Sequence, residues 1–176
     1  MRLFNSYQAA QTYADFLVRY ARAGEKHSWQ QVYQQVRLTD AQRELLQSFT
    51  RKMPVLCLAG TWCPDCHGQC PIFEHFAAVA PGIQVRYLDR DDHPDVQQQL
   101  QINGGNRVPV VVFFSEDGYE TARYGERTLS KYRQLAGRHA TGSSLLDDIT
   151  QDWLDEFERV HWILRLSPRL RQLHGD

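Results

Sequence analysis

The sequence predicts an α/β fold: one domain in which helices pack on a small sheet. Three observations carry this. Two short, continuously apolar runs, at 54–59 and 110–114, read as strands buried on both faces. Elsewhere apolar residues recur at helical spacing, and Gly- and Pro-rich breaks separate the segments. Finally, Cys63-Pro64-Asp65-Cys66 stands where the first apolar run gives way to a helical pattern, so strand and helix are joined directly. The chain has 176 residues. Against a prior of about 150 residues per domain, that fits one domain with a sizeable core.

Each element follows in order. Residues 6–23 read as a helix, with Tyr7, Ala10, Ala14, Leu17 and Tyr20 on one face and Gly24 as its stop. Ser28 can cap a second helix carrying Trp29, Val32, Tyr33 and Val36. Thr39 or Asp40 caps a third, with Leu45, Leu46 and Phe49. After the 54–59 strand, a helix with Ile72, Phe73, Phe76 and Val79 runs to about Ala80, where Pro81-Gly82 ends it. Residues 83–88 partly alternate and read as a strand. Asp92 and Pro94 open a short helix, closed by Asn103-Gly104-Gly105. The 110–114 strand turns at Glu116-Asp117-Gly118 and returns along 120–124. A helix over 129–136 follows, then a polar linker over 137–143. Residues 144–164 form a last helix with Leu145, Ile149, Trp153, Phe157, Val160 and Leu164 in a stripe, broken by Ser167-Pro168. The stripe is expected to pack on the rest of the domain, an interface with a partner being the alternative.

Composition narrows the function classes. A formal net charge of −1 gives no footing for a nucleic-acid or membrane-surface partner. Four cysteines in this length are not a disulfide scaffold. No apolar run approaches the roughly 18 residues of a membrane span, and the first residues lack the apolar core of a signal peptide. A cytoplasmic location is therefore expected, where a dithiol is kept reduced and works as a reductant.

Cys-x-x-Cys at a strand-to-helix junction is a redox dithiol signature. The thiolate is the nucleophile, and free N–H groups at a helix start stabilise it. Cys63, at or just before the first turn, is the expected attacking cysteine. Cys66, one turn on, can resolve the mixed disulfide. The sequence resembles the thioredoxins on these residues: Trp62-Cys63-Pro64-Asp65-Cys66 after a buried strand, Pro71 five residues beyond, Val108-Pro109-Val110 before the next apolar strand, and Gly125 ahead of a helix. The likeness covers about 40–137.

That resemblance implies a thioredoxin-like three-layer sandwich with a mixed four-stranded sheet, ordered 83–88, 55–59, 110–114, 120–124. Helical extensions at 1–39 and 138–176 complete a single domain over 1–176. The usual first strand is missing, which leaves 83–88 at a sheet edge unless helices cover it. The likeness also implies a cis Pro109, a substrate strand pairing beside Val108, and an exposed Trp62 shaping substrate contact. Substrates would be disulfide-containing proteins or small molecules, and a thioredoxin-reductase-like donor would restore the dithiol. No cofactor or metal is expected.

Pro64, Asp65 and His67 are the candidate tuning residues. Asp65 places an anion beside the thiolate, which opposes ionisation; His67 could offset it if protonated. Cys57 stands six residues before Cys63, where thioredoxins commonly carry a buried aspartate that takes the resolving proton. Water or another side chain must serve instead, unless Cys57 is only a small core residue. Cys70 reads as a buried filler or a spare resolving thiol, and its i, i+4 spacing disfavours an undistorted disulfide with Cys66. Rival readings are weaker. Cys63-x-x-Cys66-His67 spells a haem attachment site, and Cys63-x-x-Cys66-x-x-x-Cys70-Pro71 the tail of a ferredoxin motif. Cys63, Cys66, His67 and Cys70 on one helix face cannot surround an ion tetrahedrally. A non-catalytic adaptor on the same fold is the remaining alternative.

Overall fold

The computed structural model describes residues 2–138 and 142–176; part of the expected 137–143 linker lies outside them. The elements are α1 (Arg2–Ala9), α2 (Tyr13–Tyr20), α3 (Ala23–Gln35), α4 (Asp40–Gln47), β1 (Met53–Ala59), α5 (Pro64–Val79), β2 (Ile83–Asp89), α6 (Pro94–Gln99), β3 (Val110–Phe114), β4 (Glu120–Gly125), α7 (Leu129–Leu135), α8 (Leu145–Arg165) and α9 (Pro168–His174). The sheet order is β2-β1-β3-β4. β1 and β2 are parallel, while β3 runs antiparallel to both β1 and β4. This is the mixed α/β sheet that the sequence predicts.

All seven residues of β1 and all five of β3 are buried, as their unbroken apolar runs require. Successive strand residues face opposite ways, so both faces need cover. On one face Phe157 of α8 meets Phe113 edge-on, ring centroids 5.0 Å apart, and also packs on Phe73 and Phe76 of α5. On the other, Phe4 of α1 lies edge-on to Phe114 at 5.4 Å. Helices therefore lie on both sides of the sheet. The apolar stripe of α8 is core: Trp153, Phe157 and Val160 have no exposed surface. Among the described residues, no helix is long and apolar enough to cross a membrane.

The N-terminal third departs from the expected helices. The predicted single helix over 6–23 is two helices, parted at Ala10-Gln11-Thr12. There Gln11 forms a one-residue antiparallel bridge to Tyr87, its N–H donating to Tyr87 O at 3.0 Å and its carbonyl accepting from Tyr87 N at 2.8 Å. The exposed edge of β2 is thus met by a single residue, and the chain wraps the edge. α1 goes to one face of the sheet; on the other, Tyr13 and Phe16 of α2 pack on Tyr87. The break has a cap signal: Thr12 Oγ1 accepts from Asp15 N. Gly24 does not end a helix. It lies inside α3, which starts at Ala23, with Glu25 accepting from Arg22 N. Ser28, expected as a cap, is interior, and its hydroxyl donates to Gly24 O. Thr39 caps α4 as expected. Beyond the Ser167-Pro168 break the chain forms α9, which Arg169 ties to Asp117 of the β3–β4 turn at 2.7 Å.

Because Phe157 joins α5, α8 and β3, Phe157→Ala should cost about 3–5 kcal/mol in a urea titration. Leu173→Ala, on exposed α9 surface, should change stability by less than about 0.5 kcal/mol. Equal effects would contradict the placement of α8 in the core.

Candidate functional site

β1 ends at Ala59, and after four intervening residues α5 begins with Pro64 at its first position. Cys63 is the N-cap, in extended conformation, and its N–H donates to Gly60 O at 3.1 Å. Its carbonyl accepts from Cys66 N and His67 N, both at 3.1 Å, starting the helix. The backbone N–H groups of Asp65 and Cys66 act to lower the Cys63 pKa, against the larger raising effects of the Cys66 side chain and burial.

The connecting turn is held from behind by the N-terminal helices. The indole of fully buried Trp29 donates to Thr61 O at 2.9 Å. The Thr61 hydroxyl donates to Glu25 at 2.9 Å. Trp62 folds its ring back over Gly60, where a Cβ would fall 2.7 Å from the indole and displace it. The ring remains half exposed, with the Arg90 guanidinium 4.5 Å from its centroid.

All four cysteines are free thiols. Cys57, Cys66 and Cys70 are fully buried, and Cys63 retains 7% exposure. Cys63 Sγ donates to the Val108 carbonyl at 3.6 Å, and the Val108-Pro109 peptide is cis. Nearby, Gly125 lies so close that a Cβ there would be 2.4 Å from Pro109 O. Cys66 Sγ accepts from Gly60 N at 3.4 Å, and the Cys63 and Cys70 thiols are its titrating neighbours. Interaction with Cys66 and burial push the Cys63 thiol above the ordinary range, whereas the neighbouring Cys63 and Cys70 thiols and the Gly60 N–H bring Cys66 down to about 5 despite its burial. Charge is favoured on buried Cys66, while Cys63 alone of the four thiols keeps any exposure.

Around the pair lies a polar network absent from the sequence reading. Arg127 binds Asp65 at 2.8 and 2.9 Å. Arg127 also approaches buried Glu126 at 3.4 Å, and Tyr132 donates to Glu126 at 2.8 Å. Buried Gln69 donates to Asp65 O at 3.0 Å and Glu126 O at 2.9 Å, and accepts from Trp153 Nε1 at 2.9 Å. This joins α5, the turn after β4, and α8. The charge of Asp65 is thus met by Arg127 and not by His67, whose pKa burial lowers below the usual 6.5. Cys63, Cys66, Trp62, Val108 and Pro109 come together at one surface, with Pro64 and Asp65 in the first turn of α5. Arg127 and Glu126 were legible only as charges in a loop. Thr61 and Trp29 carried no signal beyond proximity to the motif and helical spacing. Among the described residues, no three His, Cys, Asp or Glu side chains converge as a metal site would require.

A thioredoxin family model matches residues 10–135. The match takes in α2 and α3, which the motif-based likeness leaves outside. Over 78 residues, 43% of the chain, the sequence is 27% identical to a protein disulfide-isomerase of Schizosaccharomyces pombe. It spans 21% of that relative's length. Among solved structures, a Pseudomonas aeruginosa protein of unknown function aligns with a TM-score of 0.71 at 19% identity, covering 88% of this chain and 93% of that one. An HIV epitope scaffold aligns with a TM-score of 0.62 at 20% identity, covering 97% and 96%. These two likenesses concern the fold.

Removing the guanidinium in Arg127→Ala leaves Asp65 unopposed beside the dithiol. The first ionisation of the pair should rise by about one unit, read from thiolate ultraviolet absorbance against pH. His67→Ala should move it less. The reverse ranking would return the balancing role to His67.

Proposed function

Because the chain belongs to the thioredoxin family, we propose that it is a thiol–disulfide oxidoreductase working through Cys63 and Cys66. The carrying observation is the contrast in access: of the four thiols only Cys63 keeps any exposure, and it stands at a helix N-cap with Cys66 one turn behind it. The Cys63 thiolate attacks a substrate disulfide and forms a mixed disulfide, releasing one substrate thiolate. Cys66 then attacks the Cys63 sulfur. The second substrate thiolate leaves, and the Cys63–Cys66 disulfide remains. Two electrons have passed to the substrate, and an external dithiol donor, of the thioredoxin-reductase kind, restores the pair.

Val108 and Pro109 supply the docking edge in this reading. With the Val108 carbonyl 3.6 Å from the attacking sulfur, an extended substrate segment can pair alongside it as an added strand. The half-exposed Trp62 ring, steadied by Arg90, stands next to the attacking cysteine and offers a substrate an apolar contact. Arg127 neutralises Asp65 and so keeps the thiolate available; His67 is a neutral neighbour at pH 7. The disulfide-isomerase named among the relatives supports a disulfide substrate class. The reductant role places the protein in a compartment that keeps thiols reduced, as in the cytoplasm.

Cys66→Ser should trap the mixed disulfide on Cys63 when a disulfide-bonded peptide is added, visible as one stable adduct by mass spectrometry. Cys63→Ser should lose reduction of the same peptide, by at least about a thousandfold. Full activity in Cys63→Ser would overturn the reading.

A further inference from the structure

Cys57 and Cys70 take no part in the steps above, yet their sulfurs are 3.7 Å apart. Both are fully buried, Cys57 on β1 and Cys70 on α5, thirteen residues apart in sequence. Cys70 lies one helical turn beyond Cys66 on α5 and feels its charge, so from the partly exposed residue inward the order is Cys63, Cys66, Cys70, Cys57. We propose that Cys57 and Cys70 are a second, buried dithiol that takes oxidation from the Cys63–Cys66 disulfide and returns the surface pair to its reduced form. This rests on the thiol–disulfide reading of the surface pair.

The step balances within the chain. With Cys63–Cys66 oxidised by a substrate disulfide, the Cys70 thiolate attacks the Cys66 sulfur. The Cys63–Cys66 bond breaks, Cys63 leaves as thiolate, and a Cys66–Cys70 bond forms. Cys57 then attacks the Cys70 sulfur, the Cys66–Cys70 bond breaks, and Cys66 leaves as thiolate. The protons lost by Cys57 and Cys70 go to Cys63 and Cys66. The surface pair is reduced by two electrons, and the inner pair is oxidised by two.

The geometry favours this end point. Cys66 and Cys70 share one helix at i, i+4 with nearly parallel Cβ directions, so a disulfide between them is strained and readily broken. Cys57 approaches from the sheet instead, and no helical constraint fixes its direction. The two sulfurs already stand 3.7 Å apart, against a disulfide bond of about 2.05 Å. Burial raises the pKa of both Cys57 and Cys70, which keeps them protonated and shields them from outside oxidants. Inward transfer should therefore be slower than the surface reaction and faster at higher pH.

The test uses the full-length reduced chain and oxidised glutathione. After acid quenching, unfolding and alkylation, free thiols are counted by mass and disulfides are mapped by proteolysis. With one equivalent, the bond should appear first as Cys63–Cys66 and move with time to Cys57–Cys70. With excess, all four thiols should be lost without retained glutathione, and both linkages recovered. Cys63→Ser should block formation of Cys57–Cys70 on the same timescale, and Cys57→Ala and Cys70→Ala should stop at two thiols lost. If excess oxidant yields Cys63–Cys66 alone and two free thiols remain, the second dithiol is overturned and the surface reading stands. If no disulfide forms at all, both fall. Because the first measurement uses the unaltered chain, it does not depend on whether the buried variants fold.

Discussion

The hydrogen bond from the buried Trp29 indole to the Thr61 carbonyl is the contact on which the site depends. β1 is apolar and buried on both faces, and within four residues it must become a helix with a sulfur at its cap. Nothing in the strand fixes that turn. Trp29 does so from α3, and Glu25 of the same helix takes the Thr61 hydroxyl. Losing the indole's partner would leave a buried donor unsatisfied, a cost of about 1–3 kcal/mol. With the turn set, Gly60 can bond both Cys63 N and Cys66 Sγ. The N-terminal helices are thus the back wall of the active turn.

The opposite wall is built from α8. Trp153 fills the core and also orients Gln69, which bridges α5 to the turn carrying Glu126 and Arg127. A chain of buried polar contacts thereby connects the C-terminal helix to the charge balance beside the dithiol. Both added segments have the same logic: each contributes one buried tryptophan whose N–H secures the backbone or a side chain of the site. A partly satisfied network of this kind would be costly in a low-dielectric interior, which explains why its members come as a set.

The buried strands and the dithiol were legible because each leaves a local trace, an unbroken apolar run or a Cys-x-x-Cys, whereas the sheet order and the cis Pro109 followed only from the thioredoxin resemblance. The N-terminal helices were harder. Periodicity continued smoothly through Ala10 and Ala14, masking the break at Gln11, although Thr12 with Asp15 was a usable cap signal. Gly24 looked like a stop, but Glu25 capping Arg22 began a helix there instead. Arg127 and Gln69 were illegible for a different reason. Their partners, Asp65 and Trp153, lie 62 and 84 residues away, and no pattern along a sequence encodes such pairs. The proximity of Cys57 to Cys70 is likewise a product of packing, since strand and helix meet only after folding.

The most direct measurement is the equilibrium reduction potential of the Cys63–Cys66 pair, by titration against dithiothreitol and glutathione buffers. A two-electron transition near about −270 mV is the expected result and makes the protein a reductant. A transition near about −120 mV would contradict the reductant role. Failure of the two cysteines to form a disulfide at any poise would contradict the redox centre itself.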